Sequence, residues 1–190
     1  KRHLNHTAEH VLDPTILLPP ADYRKLIGEE GAEKYTNKIT AFILDRSEDK
    51  LAALEKVSKV LAMDYNFAAT ETEDRLAPLE KRIAPSVADW LKAMYYADFI
   101  FTDSFHGCVF SILFNKPFVL YVNRNRGVAR FDSLLKLFKI ENRTLSDSNE
   151  LESCRIRQSI DWKPINAKLE EMRSKSMRFL ENALTAKDEQ

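Results

Sequence analysis

Apolar residues along this chain fall into short unbroken runs and longer helical spacings. The runs predict four strands: "KITAFILD" (38–45), "YNFAAT" (65–70), "DFIFTD" (98–103) and "PFVLYV" (117–122). Segments with helical spacing predict four helices, at 47–64, 86–97, 105–116 and 129–140. Strand and helix thus alternate along the chain. This order predicts an α/β fold with a doubly wound, mainly parallel sheet.

The two ends of the chain carry a different pattern. Residues 11–27 contain Pro14, Pro19 and Pro20 and predict an extended segment followed by a short helix. Residues 71–84 are polar and predict a loop, while 164–187 has the apolar spacing of a long amphipathic helix. We therefore expect a leading segment or linker over 1–37, an α/β lobe over 38–145, and a loop with a C-terminal helix over 146–190.

Composition narrows the classes of function. Lys+Arg and Asp+Glu are both 29, so the formal net charge is zero, which disfavours general attraction to nucleic acid. The two cysteines lack metal-ligand spacing, and Cys108 lies in an apolar run typical of a core. No apolar window is long enough to predict a membrane span. The chain opens without Met or a signal peptide, so we expect one part of a larger protein.

Polar residues follow three of the predicted strands. Asp45 and Arg46 come after the first strand, 102–107 after the third, and a loop with Arg124, Arg126 and Arg130 after the fourth; these residues are printed in the sequence as "DR", "TDSFHG" and "NRNRGVAR". Ligands of open α/β sheets bind at the carboxyl ends of the strands. A helix that begins near Ser104 adds free N–H groups there, so the edge is suited to a phosphate or carboxylate.

His106 is the candidate acid–base group of this edge, because imidazole titrates near neutral pH. Asp103 can orient it, and Gly107 can let a ligand or another backbone segment come close. Spacing alone favours the structural alternatives. A histidine in a first helical turn is commonly a cap or a satisfied polar group, Asp103 and Ser104 are good caps, and arginines in such loops are commonly solvated. His3, His6 and His10 have near-helical spacing, for which a frayed terminus is favoured over a metal site.

Several ordered motifs resemble the C-terminal half of the polysaccharide pyruvyl transferase family. They are "LDPT", the Pro-Ser start of the helix at 86–97, "ADFIFTDSFHG", "FNKPF" and the "RG-ARFDSLL" loop and helix, which together cover most of 11–145. The resemblance implies a Rossmann-like lobe of a glycosyltransferase-B-like fold. It also implies that a second, N-terminal lobe supplies much of the acceptor site, so that this lobe alone is inactive.

The resemblance implies a reaction as well. Family members transfer pyruvate from phosphoenolpyruvate to hydroxyls of a sugar and form a ketal. By position, His106 matches the family's proposed general acid, and Arg46 matches an arginine that holds phosphoenolpyruvate. Many members have Arg-Leu-His where this chain has Ser104, Phe105 and His106. Arg126 or Arg130 is the candidate replacement for that arginine, with Asp103, Ser104 and Gly107 shaping the site.

The expected partners follow from this resemblance. They are phosphoenolpyruvate as the donor and a glycan or lipid-linked sugar of exopolysaccharide biosynthesis as the acceptor, with no metal, no further cofactor and no nucleic acid. The expected location is cytoplasmic, with peripheral membrane association through the acceptor. Two alternatives stay open: a glycosyltransferase-B-type enzyme that uses a nucleotide sugar, and a non-catalytic domain for assembly with polysaccharide enzymes.

Overall fold

A computed structural model describes residues 9–70, 76–122, 128–152 and 154–185. Its strands are β1 Lys38–Phe42, β2 Asp64–Phe67, β3 Phe99–Thr102, β4 Phe118–Tyr121 and β5 Thr144–Leu145. Its α-helices are α1 Pro20–Arg24, α2 Glu48–Leu61, α3 Leu79–Arg82, α4 Val87–Tyr96, α5 Phe105–Leu113, α6 Val128–Phe138 and α7 Trp162–Thr185. Short 3-10 helices lie at Pro14–Leu17, Ala32–Lys34, Glu141–Arg143 and Ser148–Glu152.

The five described strands form one parallel sheet in the order β2-β1-β3-β4-β5. Ile39 is paired with Tyr65 on one side and with Phe99 on the other. The chain order reverses direction between β1 and β3, the position at which doubly wound sheets commonly bind ligands. The predicted doubly wound, parallel α/β fold is confirmed, as is the long C-terminal helix.

Besides the short 3-10 helices, the described residues add one strand and one α-helix to the predicted set. β5 consists of only Thr144 and Leu145, which is too short for a periodic signal. α3 is a four-residue helix that follows Pro78 within the segment predicted to be a loop. Residues 71–75 of that segment lie outside the described residues.

The helices α2 and α4 begin where the sequence places capping groups. Ser47 accepts a hydrogen bond from the Lys50 N–H at 3.3 Å, and Ser86 accepts one from the Asp89 N–H at 3.1 Å. Each bond satisfies a backbone donor that has no partner inside its helix. The predicted cap at Ser47 is therefore confirmed, and α2 starts directly after the β1 edge.

The core lies between the central strands and the helices. β3 and β4 are buried at every residue, as expected of central strands of a parallel sheet that is covered on both faces. α5 is buried along nearly its whole length, and both cysteines are buried and reduced. Burial raises the pKa of the Cys108 thiol, so Cys108 is a core residue, as predicted from its apolar run.

The described residues divide into two compact units, one within 20–160 and one made of 9–19 and 161–185. The sheet and α1–α6 make up the first unit. In the second, the leading segment contacts α7: the Leu12 N–H donates to Ser176 Oγ at 3.0 Å, and Arg173 Nε donates to the Ile16 carbonyl at 3.1 Å. Within the described residues, we find no helix with the length and apolar character needed to cross a membrane.

Candidate active site

The turn between β3 and α5 carries four of the predicted site residues. β3 ends at Thr102, Asp103 and Ser104 form the turn, and α5 begins at Phe105. Ser104 occupies the N-cap position, but its hydroxyl makes no capping hydrogen bond to the described helix. Its N–H instead donates to Thr102 Oγ1 at 3.0 Å. The turn is therefore held by Thr102 rather than by the predicted serine cap.

Asp103 is part of the turn, and it is fully buried. Its carboxylate accepts hydrogen bonds from the Leu44 N–H at 2.7 Å and the Asp45 N–H at 3.2 Å. It also forms an ion pair with Lys50 Nζ at 2.7 Å. These contacts fasten the loop after β1 to the end of β3. The structure thus gives Asp103 a part in shaping the turn, and direct contact with a substrate stays a prediction.

Lys50 completes this connection from the first turn of α2. Its ammonium group also donates to the Asp45 carbonyl at 2.6 Å. The side chains of Lys50 and Asp103 are 8% and 0% exposed, so the pair is sheltered from water. A buried carboxylate that meets a cation and two N–H donors is well satisfied. Lys50 therefore connects the loop after β1, which carries Arg46, to the turn between β3 and α5, which precedes His106.

Gly107 allows α5 to approach the end of β3 closely. A Cβ at this position would lie 2.1 Å from Thr102 Oγ1 and 2.8 Å from Thr102 Cβ. Thr102 has no room to move, because it is fully buried and its hydroxyl donates to the Phe42 carbonyl at 2.7 Å. The close neighbour in the structure is the side chain of Thr102, so the expected approach of a ligand or of another backbone segment stays a prediction.

Gly107→Ala is therefore expected to lower the free energy of unfolding by about 1–3 kcal/mol, the usual cost of overpacking. The new methyl group collides with Thr102, and this outweighs the gain of ~1 kcal/mol in helix propensity. Urea unfolding measures the change. The matched control is Gly28→Ala, where no described atom lies within 4 Å of the new Cβ. Equal stability of the two variants would contradict the close approach.

His106 is exposed in the first turn of α5, at the carboxyl edge of the sheet. Its ring lies edge-on to the Phe105 ring, with 5.8 Å between centroids. The first turn of a helix also presents backbone N–H groups that lack intrahelical partners. His106 is thus placed where a bound anion would meet both an imidazole and the positive end of a helix dipole.

Arg130 reaches the same turn from α6. Its guanidinium carbon lies 4.9 Å from the centre of the Phe105 ring, a cation–π distance. Phe105 also packs on Phe131, with 5.9 Å between ring centroids, so α6 supports it. The structure therefore brings Arg130 close to the turn that carries His106. Arg124 and Arg126 lie outside the described residues.

Arg46 points toward the other side of β1. Its guanidinium lies 4.0 Å from the centre of the Phe67 ring, and Nη2 donates to the Thr70 carbonyl at 3.1 Å. Both partners belong to β2 or to the residues after it, and β1 separates β2 from β3. Its Nε is buried and has no partner within the described chain. Arg46 is thus not gathered with Arg130 at the turn, and its binding of an anion stays a prediction.

At the carboxyl end of β4, Tyr121 forms a hydrogen bond within the protein. Tyr121 donates its hydroxyl to Asp49, and the Ser148 N–H donates to the same carboxylate at 3.1 Å. Burial and the bond to Asp49 raise the pKa of Tyr121, while that bond lowers the pKa of Asp49. Both groups therefore keep their ordinary charge states, and they anchor the segment after β5.

Two residues of the site, Lys50 and Phe105, cannot be found by searching the sequence for motifs. Lys50 precedes Ala53, Leu54 and Val57 at spacings of three, four and seven, so it lies on the buried face of α2. A lysine at an apolar position of an amphipathic helix is the signal for a buried partner. Phe105 gives no comparable signal, because its contact with Arg130 joins two separate helices.

No group of three or more His, Cys, Asp or Glu side chains is placed to hold a metal within the described ranges. His3 and His6 lie outside the described residues, so the metal alternative at the N-terminus stays as the sequence left it.

Comparison with protein families finds the model described as "Polysaccharide pyruvyl transferase", which matches residues 1–125. No curated protein and no solved structure matches the chain. The matched residues contain β1 to β4, Arg46 and the turn with His106, whereas Arg126 and Arg130 follow them. Since the match spans more than half of the sequence, this chain belongs to the polysaccharide pyruvyl transferase family, a family of transferases.

Proposed function

We propose that this chain takes part in the transfer of pyruvate from phosphoenolpyruvate to two hydroxyls of a sugar in a surface or exopolysaccharide precursor. The observation that carries the proposal is the exposed His106 in the first turn of α5, with Arg130 held beside it on Phe105. Membership of the family supports the class of reaction. The imidazole supplies a proton, and the helix start and guanidinium supply stabilisation for an anion.

The proposed chemistry balances without a cofactor. Protonated His106 donates a proton to the methylene carbon of phosphoenolpyruvate, which becomes a methyl group. A sugar hydroxyl then attacks the cationic carbon that carries the phosphate. A second hydroxyl displaces phosphate at that carbon, which closes the ketal. The two hydroxyl protons are thereby accounted for, since one restores His106 and the other leaves with phosphate.

The arginines bind anionic groups of the substrates in this proposal. Arg130 lies beside the turn at which Ser104 stands in the position of an arginine that many family members have. This position supports Arg130 as the group that binds the leaving phosphate. Arg46 lies on the β2 side, where its partnerless Nε can donate to a substrate oxygen. Planar guanidinium groups suit both phosphate and carboxylate. In this proposal a second, N-terminal lobe supplies much of the site for the acceptor sugar, and the reaction takes place in the cytoplasm or at the inner membrane face.

The test uses the protein at its full natural length with phosphoenolpyruvate and a panel of lipid-linked glycans. We expect release of inorganic phosphate that depends on the glycan, with pyruvate retained in the product as measured by mass spectrometry. Replacing phosphoenolpyruvate with nucleotide sugars is the control. Turnover of a nucleotide sugar, with no consumption of phosphoenolpyruvate, would contradict the proposal and support the sugar-transferase alternative.

A further inference from the structure

An apolar pocket of about 290 Å³ lies at the carboxyl ends of β1 and β2. Its walls come from the residues after these strands and from the start of α4; they are Phe42, Leu44, Ala68, Ala69, Thr70, Ala84, Pro85, Val87 and Trp90. The volume equals that of roughly ten water molecules at about 30 Å³ each. The pocket opens on the same edge of the sheet as the turn that carries His106.

The pocket is chemically unsuited to either polar substrate. Apart from the Thr70 hydroxyl and the Trp90 indole N–H, none of the lining side chains carries a polar atom. Phosphoenolpyruvate would bring a carboxylate and a phosphate into this lining, and a sugar would bring several hydroxyls. Beyond the Thr70 hydroxyl and the Trp90 Nε1–H, which has no partner among the described residues, such groups would lose their hydration without gaining a side-chain partner in this lining. A hydrocarbon group needs no hydrogen-bond partner and gains from leaving water.

The segment that leads into the pocket wall also exposes apolar side chains. Leu76, Leu79, Ile83 and Val87 are all exposed, at sequence spacings of three, four and four. Val87 lines the pocket and is itself 73% exposed. Four large apolar side chains exposed within twelve residues exceed the scattered exposure that is normal for a surface.

The positively charged guanidinium of Arg46 lies next to the pocket. Arg46 donates to the carbonyl of the lining residue Thr70, and the Phe67 ring holds its guanidinium. A hydrocarbon chain that enters the pocket and ends in a phosphate would bring the phosphate toward this guanidinium. The apolar lining and the neighbouring positive charge thus match the two halves of a lipid phosphate.

We propose that this pocket binds the hydrocarbon chain of a lipid-linked acceptor, with the lipid phosphate near Arg46 and the sugar extending toward His106. This inference rests on the proposed function, because it names the lipid part of the acceptor. The pocket thereby selects glycans that are still attached to their lipid carrier over free glycans.

Direct binding tests the inference without any turnover. The chain has two tryptophans, and in a Trp162→Phe background the fluorescence reports on Trp90 in the pocket wall. Titration with geranyl phosphate is expected to change this fluorescence saturably. A shorter prenyl phosphate should bind more weakly, by about fourfold for each methylene lost. Inorganic phosphate should give no change, and an equal response to it would overturn the inference.

Val87→Asp tests the pocket mouth with little risk to folding. Residue 87 is exposed and begins α4, where an acidic side chain is favourable toward the helix dipole. The carboxylate at the mouth should weaken geranyl phosphate binding by about tenfold or more, because it loses hydration when the chain enters. Leu26→Asp makes the same change at an exposed leucine outside the lining and should bind normally. Equal binding by both variants would overturn the inference.

A kinetic arm separates this inference from the proposed function. Val87→Asp should raise KM for a lipid-linked glycan and leave KM for the same lipid-free glycan unchanged. If phosphoenolpyruvate is consumed but both glycans respond alike, the pocket inference is wrong and the proposed function stands. If geranyl phosphate binds as expected but phosphoenolpyruvate is never consumed, the pocket is supported and the proposed function falls.

Discussion

Replacing Lys50 with methionine is expected to lower the free energy of unfolding by about 3–5 kcal/mol, the usual cost of removing one partner of a buried ion pair. The carboxylate of Asp103 is fully buried and would keep only the Leu44 and Asp45 N–H donors. Methionine fills a similar volume, so a cavity adds little to the loss. Urea unfolding followed by circular dichroism measures the difference.

Lys25→Met is the matched control for Lys50→Met. Lys25 and Asp22 lie 2.6 Å apart, a distance similar to the 2.7 Å of the buried pair, but their side chains are 75% and 40% exposed. Exposed pairs contribute about 0–1 kcal/mol, because water competes for both charges. A loss at Lys50 no larger than the loss at Lys25 would contradict the structural role of the buried pair.

A double-mutant cycle separates the ion pair from the backbone bonds of Asp103. Asp103→Ala removes the contacts to Leu44 and Asp45 together with the ion pair, whereas Lys50→Met removes the ammonium contacts alone. Combining the two changes isolates the coupling between the charges. A large coupling energy would mean that the pair, rather than either partner alone, holds the β1 loop against the β3 turn.

The fold was predictable because the central strands are buried on both faces. The runs that contain β3 and β4 are apolar at almost every residue, and Ser47 marks the start of α2 before its apolar spacing begins. The predicted strand at 38–45 ends earlier, at Phe42, since the residues after it turn to meet Asp103. β5 was missed because two residues carry no period, and tertiary pairing with β4 alone defines it.

The site was predictable as a location but not as a set of contacts. Its position followed from parallel strands, whose carboxyl ends share one edge of the sheet. The partners depend on long-range packing: Asp103 meets residues almost sixty positions earlier, and Arg46 lies on Phe67. Contacts between residues so far apart in the chain produce no periodic pattern in the sequence. The site residues could therefore be predicted to share one edge of the sheet. The sequence could not predict that Arg46 lies beside β2 while Arg130 lies at the turn after β3.

Phe105 holds a positive group beside the turn that carries Ser104. Its ring lies against the guanidinium of Arg130, which comes from a different helix. An aliphatic side chain at position 105 would offer no face for this cation–π contact. The positive charge at the turn therefore depends on tertiary packing rather than on the local sequence motif.

His106→Gln is expected to lower kcat for pyruvyl transfer by about 10²–10⁴-fold, the usual contribution of a positioned proton donor. Glutamine keeps polarity and similar length at this exposed site, but it cannot donate a proton to carbon near neutral pH. Stability should change by no more than about 0.5 kcal/mol, as at other exposed positions. Initial rates of phosphate release at saturating phosphoenolpyruvate and glycan measure the loss.

His10→Gln is the matched control for His106→Gln, since His10 is also exposed but lies far outside the β3–α5 turn in sequence. It should retain the kcat of the unchanged protein. A purely structural His106 would move the unfolding midpoint and kcat together, whereas a general acid lowers kcat alone. A His106→Gln variant that keeps the full kcat would mean that the proton comes from another group, and it would support the non-catalytic alternative for this domain. The combination of lost turnover and intact stability is therefore what assigns the proton to His106.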